Sequence, residues 1–209
     1  MRGNEVLVST HMNEIKHSAW RNIIAGLFAC CRGACSRTEM IDGMEVMPTT
    51  HSADPGECLP REIDDFVALV LAGGEVTPNG LRARVVQAFQ VAFLRERGCL
   101  IGVGGLKRPS IHHRAEVAAG SNVPIPETDF PFELGWVFIV PSARGRRLSV
   151  PLCESLVGAA EGRGIFSTSR QDNAGMHTTL CKLGFVRVGD EWPSQECSGA
   201  IALFLKYAA

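Results

Sequence analysis

The stretch Glu133-Leu134-Gly135-Trp136-Val137-Phe138-Ile139-Val140-Pro141-Ser142-Ala143-Arg144-Gly145-Arg146-Arg147-Leu148-Ser149 decides how the rest of the chain is read. Its apolar and aromatic run makes a buried strand, Pro141 stops that strand, and Arg144-Gly145 turns the chain. A helix follows to about Gly162, with Leu148, Leu152, Leu156 and Ala160 as one apolar ridge. A strand that runs straight into a helix start presents unpaired backbone N–H groups and the positive end of a helix dipole, here with arginines beside them. Such a turn is built to hold phosphate.

Downstream, the pattern predicts a strand over 164–169, a helix over 173–183 closed by Gly184, and strands over 185–188 and 200–207. Upstream, Ile63, Phe66, Val67, Val70 and Leu71 repeat at helical spacing from Arg61 until Gly73-Gly74 closes the helix. Thr77-Pro78 reads as an N-cap and first helical position, with Leu81, Val85, Val86 and Phe89 continuing a second helix. Residues 91–96 and 99–106 form two strands joined at Arg97-Gly98. The segment 110–131 is interrupted by Pro124, Pro126 and Pro131 and reads as an irregular polar loop carrying His112, His113, Arg114, Glu116, Glu127 and Asp129. A short first strand is expected over 44–47, then a connection over 48–60. Residues 1–43, where Cys30, Cys31 and Cys35 crowd together, read as a poorly ordered extension with one amphipathic stretch over 18–31, a candidate for partner docking.

Composition narrows the function. The 209 residues suit one domain, and a net charge of −1 gives no electrostatic footprint for nucleic acid. The eight cysteines are unevenly spaced and no cleavable signal precedes them, which points to a reducing cytoplasm. The apolar run over 23–31 falls short of the ~20 residues a bilayer span needs, so no membrane is implied. Neither the clustered cysteines nor the His112-His113 pair has the further ligands a metal site requires, so no metal is expected.

From about 44 to 207, this order of elements resembles the GNAT superfamily of acetyl-coenzyme A dependent N-acetyltransferases. The likeness rests on two motifs in order: Arg144-Gly145-Arg146-Arg147-Leu148-Ser149 between strand and helix, and a helix opened by Asn173 and closed by Lys182-Leu183-Gly184-Phe185. Arg147 stands where the family usually has glycine, and Ser149 where it has glycine or alanine. The resemblance implies an α/β (α+β) fold with a mixed, mostly antiparallel central sheet flanked by helices, occupying residues 44–209.

It also implies a division of labour within the opening stretch. The turn Arg144, Gly145, Arg146, Arg147, Leu148 and Ser149 would hold the pyrophosphate of acetyl-coenzyme A, with Asn173 nearby, and the backbone of Val137, Phe138 and Ile139 would hold the pantetheine arm and carbonyl. Glu133 falls where many family members place a general base; Glu116, Asp129, His112 and His113 are the reserves. The position of the family's frequent acidic tyrosine is Leu180, which leaves the departing thiolate to water or to neighbours such as Thr179 and Cys181. The implied reaction is acetyl transfer to a primary amine of a small molecule or peptide, by direct attack in a ternary complex. Use of another acyl chain, or a catalytically weak module that binds acyl-coenzyme A or docks a partner, stays open, as does a homodimer.

Overall fold

The structure, a computed structural model, describes residues 47–194 and 199–209. The expected extension over 1–43 lies outside the described residues, as does nearly all of the strand expected over 44–47; Met47 is not in a strand. The described chain runs β1 (Thr49–Ala53), α1 (Pro60–Ala72), α2 (Leu81–Val86), β2 (Gln90–Glu96), β3 (Cys99–Lys107), α3 (Ile111–Ser121), β4 (Phe132–Ile139), α4 (Ser149–Ala159), β5 (Ile165–Arg170), α5 (Ala174–Lys182), β6 (Val186–Pro193) and β7 (Ala200–Lys206). Seven strands form one sheet in the order β1-β2-β3-β4-β5-β7-β6. Every neighbouring pair is antiparallel except β4–β5.

Both faces of the sheet are buried, so neighbouring strand residues serve opposite cores. Ala92 and Leu94 of β2 join Leu152 and Leu156 of α4 and Leu180 of α5 on one side. Val91 and Phe93 face Ile63, Phe66 and Val70 of α1 and Leu81 and Val85 of α2 on the other. A third cluster sets Val117 of α3 against Phe166, Leu203 and Leu205. Two-sided burial explains why the β2 sequence is a nearly continuous apolar run.

The structure departs from the expected elements in several places; the strand expected over 185–188, for one, runs on to Pro193 as β6. The segment read as a connection contains β1, an edge strand whose polar Thr49-Thr50-His51-Ser52 lacks apolar alternation because much of it stays in water. Helix α2 starts four residues after Thr77, with Gly80 as its N-cap in the left-handed region, and stops before Phe89. The supposed irregular loop contains α3, capped by Ser110 accepting from the His113 amide at 3.2 Å and ended by Asn122 in the left-handed region. Only Arg114, Val117 and Ser121 of α3 are buried, too narrow a stripe to show as helical periodicity.

Residue 136 changes the parity of the central strand. The β3–β4 register pairs Lys107 with Glu133 and Gly105 with Gly135, then resumes with Val103 opposite Phe138, so β4 carries one extra residue. Trp136 is that bulge, at φ 54. Before it Phe132 and Leu134 belong to the α4 side; after it Val137 and Ile139 do, while Trp136 and Phe138 turn to α1. On its other edge β4 pairs with β5 only at Phe132–Ile165 and Glu133–Phe166. Beyond Glu133 the two strands part and leave the β5-facing edge of β4 without a strand partner.

Candidate active site

The parting of β4 and β5 opens a cleft of about 1380 Å³. Its walls include Glu133 through Ile139 of β4, Arg144, Ser149, the 167–170 stretch of β5, Asn173, and Lys107 and His113 from β3 and α3. The sequence-predicted residues Glu133, Val137, Phe138, Ile139, Arg144, Ser149 and Asn173 therefore meet in one groove.

At the helix end, Gly145 has φ 77 and Arg147 φ 61. The position where glycine was expected thus keeps the glycine conformation while carrying an arginine, a left-handed placement that costs a β-carbon residue about 1 kcal/mol. Helix α4 opens at Ser149, which puts Pro151 in its first turn, where proline is tolerated. The amides of Gly145, Arg147 and Leu148 make no backbone hydrogen bond among the described residues, so donors remain at this turn. The arginine side chains are arranged otherwise than a simple phosphate clamp. Arg144 donates from Nε to the Ile139 carbonyl at 2.9 Å and lies over the Phe138 ring. Arg146 makes two bonds to Glu96 at the end of β2, of 3.1 and 2.6 Å, and those bonds hold the Glu96 carboxyl below the usual carboxylate range. The Ser149 hydroxyl lies 2.8 Å from that of Thr179 on α5, and Asn173 caps α5 by accepting from the Met176 amide at 3.0 Å. Leu180 is fully buried and plays no part in the cleft, while Tyr207 packs edge-on to Phe130.

The other end of the groove is assembled from remote segments. Glu133 is 2% exposed. Its cross-strand partner Lys107 reaches Oε1 with Nζ at 2.6 Å, and His113 Nε2 of α3 lies 3.0 Å from Oε2, bent away from a straight hydrogen bond. Gly135 makes the lysine's path possible, since a β-carbon there would come within 2.8 Å of Lys107 Cε. Beneath, Arg114 donates to the carbonyls of Phe130 and Pro131 at 2.7 and 2.9 Å and fixes the entry to β4. Burial alone would raise the Glu133 carboxyl, but the Lys107 ammonium, with His113 assisting, outweighs it and takes the pKa from the ordinary 4.5 to about 2. Sequence reading missed Lys107 altogether and held His113 only in reserve. A lysine at the end of a strand followed by Ser110-Ile111-His112-His113 gives no spacing signal, because the pairing depends on β3–β4 register.

No family model matches the sequence, and no curated protein does. Solved structures do match in shape. The Escherichia coli protein ElaA aligns at 12% identity over 77% of this chain and 99% of its own, with a TM-score of 0.57. An acetyltransferase of the GNAT family from Streptococcus agalactiae aligns at 17% identity over 79% and 99%, with a TM-score of 0.55. The yncA protein of Salmonella typhimurium, solved with its cofactor acetyl-CoA, aligns at 16% over 77% and 93%, with a TM-score of 0.51. The mixed, mostly antiparallel sheet flanked by helices that these structures match across nearly their whole length is the fold of the GNAT acetyltransferases.

Proposed function

We propose that residues 44–209 form an N-acetyltransferase that moves an acetyl group from acetyl-coenzyme A to a primary amine by direct attack in a ternary complex. The observation that carries this reading is the continuity of the groove: one cleft runs from Arg144 and Ser149, the two ends of the turn before α4, along the unpaired edge of β4, to a buried carboxylate, and the amides between those two residues lie open beside it. Gly145, Arg147, Leu148 and Ser149 would hold the pyrophosphate through their backbone, aided by the guanidinium groups of Arg144 and Arg146. The free edge at Val137, Phe138 and Ile139 would hold the pantetheine arm and aim N–H donors at the thioester carbonyl. Asn173 would border the same arm from the start of α5. Acetyl-coenzyme A supplies an activated acetyl group, so the protein's tasks are to orient it, exclude water and remove a proton from the acceptor. Glu133 marks the end of the groove where that proton is lost, and Trp136 and Trp192 give the acceptor aromatic walls.

Calorimetry with acetyl-coenzyme A, paired with release of free thiol across a panel of primary amines, tests the reading. Binding together with amine-dependent release is expected. No binding at millimolar ligand would overturn the cofactor assignment; binding without release from any amine would leave a module that binds acyl-coenzyme A and does not turn it over.

A further inference from the structure

We propose that His113, set beside the Glu133–Lys107 pair, is the group that takes the proton from the acceptor amine, through its Nδ1, and that Glu133 is its positioning residue. The inference rests on the acetyltransferase reading and refines its acceptor site.

Glu133 is poorly placed to take the proton itself. Its side chain is 3% exposed, and both oxygens are engaged: Oε1 by the Lys107 ammonium at 2.6 Å, Oε2 by the His113 ring at 3.0 Å. A carboxylate so enclosed has little contact with an incoming amine, and one held at low basicity by paired charge is a weak proton acceptor. The His113 side chain, by contrast, is 39% exposed and lines the cleft. Its Nε2 is shielded from solvent and has no hydrogen-bond partner besides the bent 3.0 Å contact to Glu133, so the exposure belongs to the rest of the side chain. A proton at Nε2, the nitrogen 3.0 Å from the Glu133 carboxylate, leaves Nδ1 as a bare lone pair. A carboxylate that fixes a histidine's tautomer and steadies its protonated form is a recurrent device in proton transfer.

The surroundings fit that assignment. Phe166, the β5 register partner of Glu133, stacks on the His113 ring at 6.4 Å between centroids. The charged groups facing the cluster are Lys107 from β3 and Arg114 from α3, the latter coupled to both Glu133 and Glu127. His112 is turned outward and pairs with Glu116 at 3.3 Å, so the neighbouring acid is engaged away from His113. In the step itself the amine nitrogen forms a bond to the acetyl carbon as the carbon–sulfur bond breaks. The amine's surplus proton passes to Nδ1, and the thiolate leaving with the electron pair takes a proton from water.

The test uses the full chain. Nitrogen-15 NMR of the histidine rings at neutral pH should find His113 protonated at Nε2 and bare at Nδ1; the opposite tautomer would overturn the proposal. Thiol release from acetyl-coenzyme A is then measured with the amine panel for wild type, His113→Gln, His113→Ala and Glu133→Gln. His113→Gln should lower kcat about 100-fold or more with acetyl-coenzyme A affinity within about twofold, and should remove the acid limb of the pH–rate profile. Imidazole added to His113→Ala should restore part of the rate, which separates proton transfer from a folding defect. A His113→Gln variant within about threefold of wild type, alongside an inactive Glu133→Gln, would return the base to Glu133 and leave the acetyltransferase reading intact. A wild-type protein that acetylates no amine would end both.

Discussion

The two ends of the groove are built in opposite ways. The proposed cofactor end is one contiguous turn, 144–149, whose charged side chains stand largely in solvent and whose backbone amides would do the holding. The proposed acceptor end draws Lys107, His113 and Glu133 from three separate elements and encloses the Lys107–Glu133 ion pair. A site made of consecutive backbone depends little on its side chains, so Arg147 can occupy the left-handed position, at φ 61, that would suit a glycine. A site made of buried charges tolerates little, because each ion depends on its neighbours to offset the loss of water.

The largest test of this contrast removes a cation from the enclosed end. Lys107→Met keeps the side chain's length and takes away its charge, leaving Glu133 buried with only His113 against it. A destabilisation of about 3 kcal/mol at pH 7 is expected, since removing one partner of a buried ion pair strands the other. The pH dependence has a defined sign. The Glu133 carboxyl falls from 4.5 to about 2 on folding, so it contributes stability that is complete above pH 4.5 and disappears as the pH drops toward 2. Wild type should therefore lose stability across that window, whereas Lys107→Met, already without that contribution, should lose less. Denaturant titrations at pH 7 and at pH 3 measure the difference; equal losses for the two proteins would mean that Lys107 does not set the carboxyl's charge.

The same contrast governs what the sequence discloses. The strand, the proline stop and the arginine-glycine turn were legible because their meaning lies in consecutive residues, and the hairpin at Arg97-Gly98 for the same reason. Glu133 could be singled out only by its position in a family-like pattern. Its partners could not be found that way, since nothing in the spacing from Lys107 to Glu133 states that the two face each other; the register does. Helix α3 was hidden because its buried stripe is narrow and its best signals are two single residues, the Ser110 cap and Asn122. The bulge at Trp136 was hidden too, for a tryptophan carries no mark of a left-handed backbone.

At the cofactor end the effects should be smaller. Arg147→Gly relieves a left-handed backbone and restores the residue type the turn conformation favours, for a gain of up to about 1 kcal/mol, reduced by the added freedom of glycine in the unfolded chain. Thermal unfolding measures it. A loss above about 1 kcal/mol would show instead that the Arg147 side chain holds the turn.

The smallest expected effect concerns Arg146, whose guanidinium is engaged by Glu96 in the same region where the pyrophosphate would lie. An exposed ion pair of this kind contributes no more than about 1 kcal/mol, so a phosphate can displace it, but the displacement lowers cofactor affinity by the same amount. Glu96→Gln weakens the competing pair and removes a negative charge from the approach of a polyanion. Calorimetry should then find acetyl-coenzyme A bound up to about fivefold more tightly, with the gain shrinking at high salt. An affinity unchanged at low salt would assign Arg146 to anchoring the loop on β2 and leave the phosphate to Arg144 and the amides of Gly145, Arg147 and Leu148, a cofactor end built of backbone almost alone.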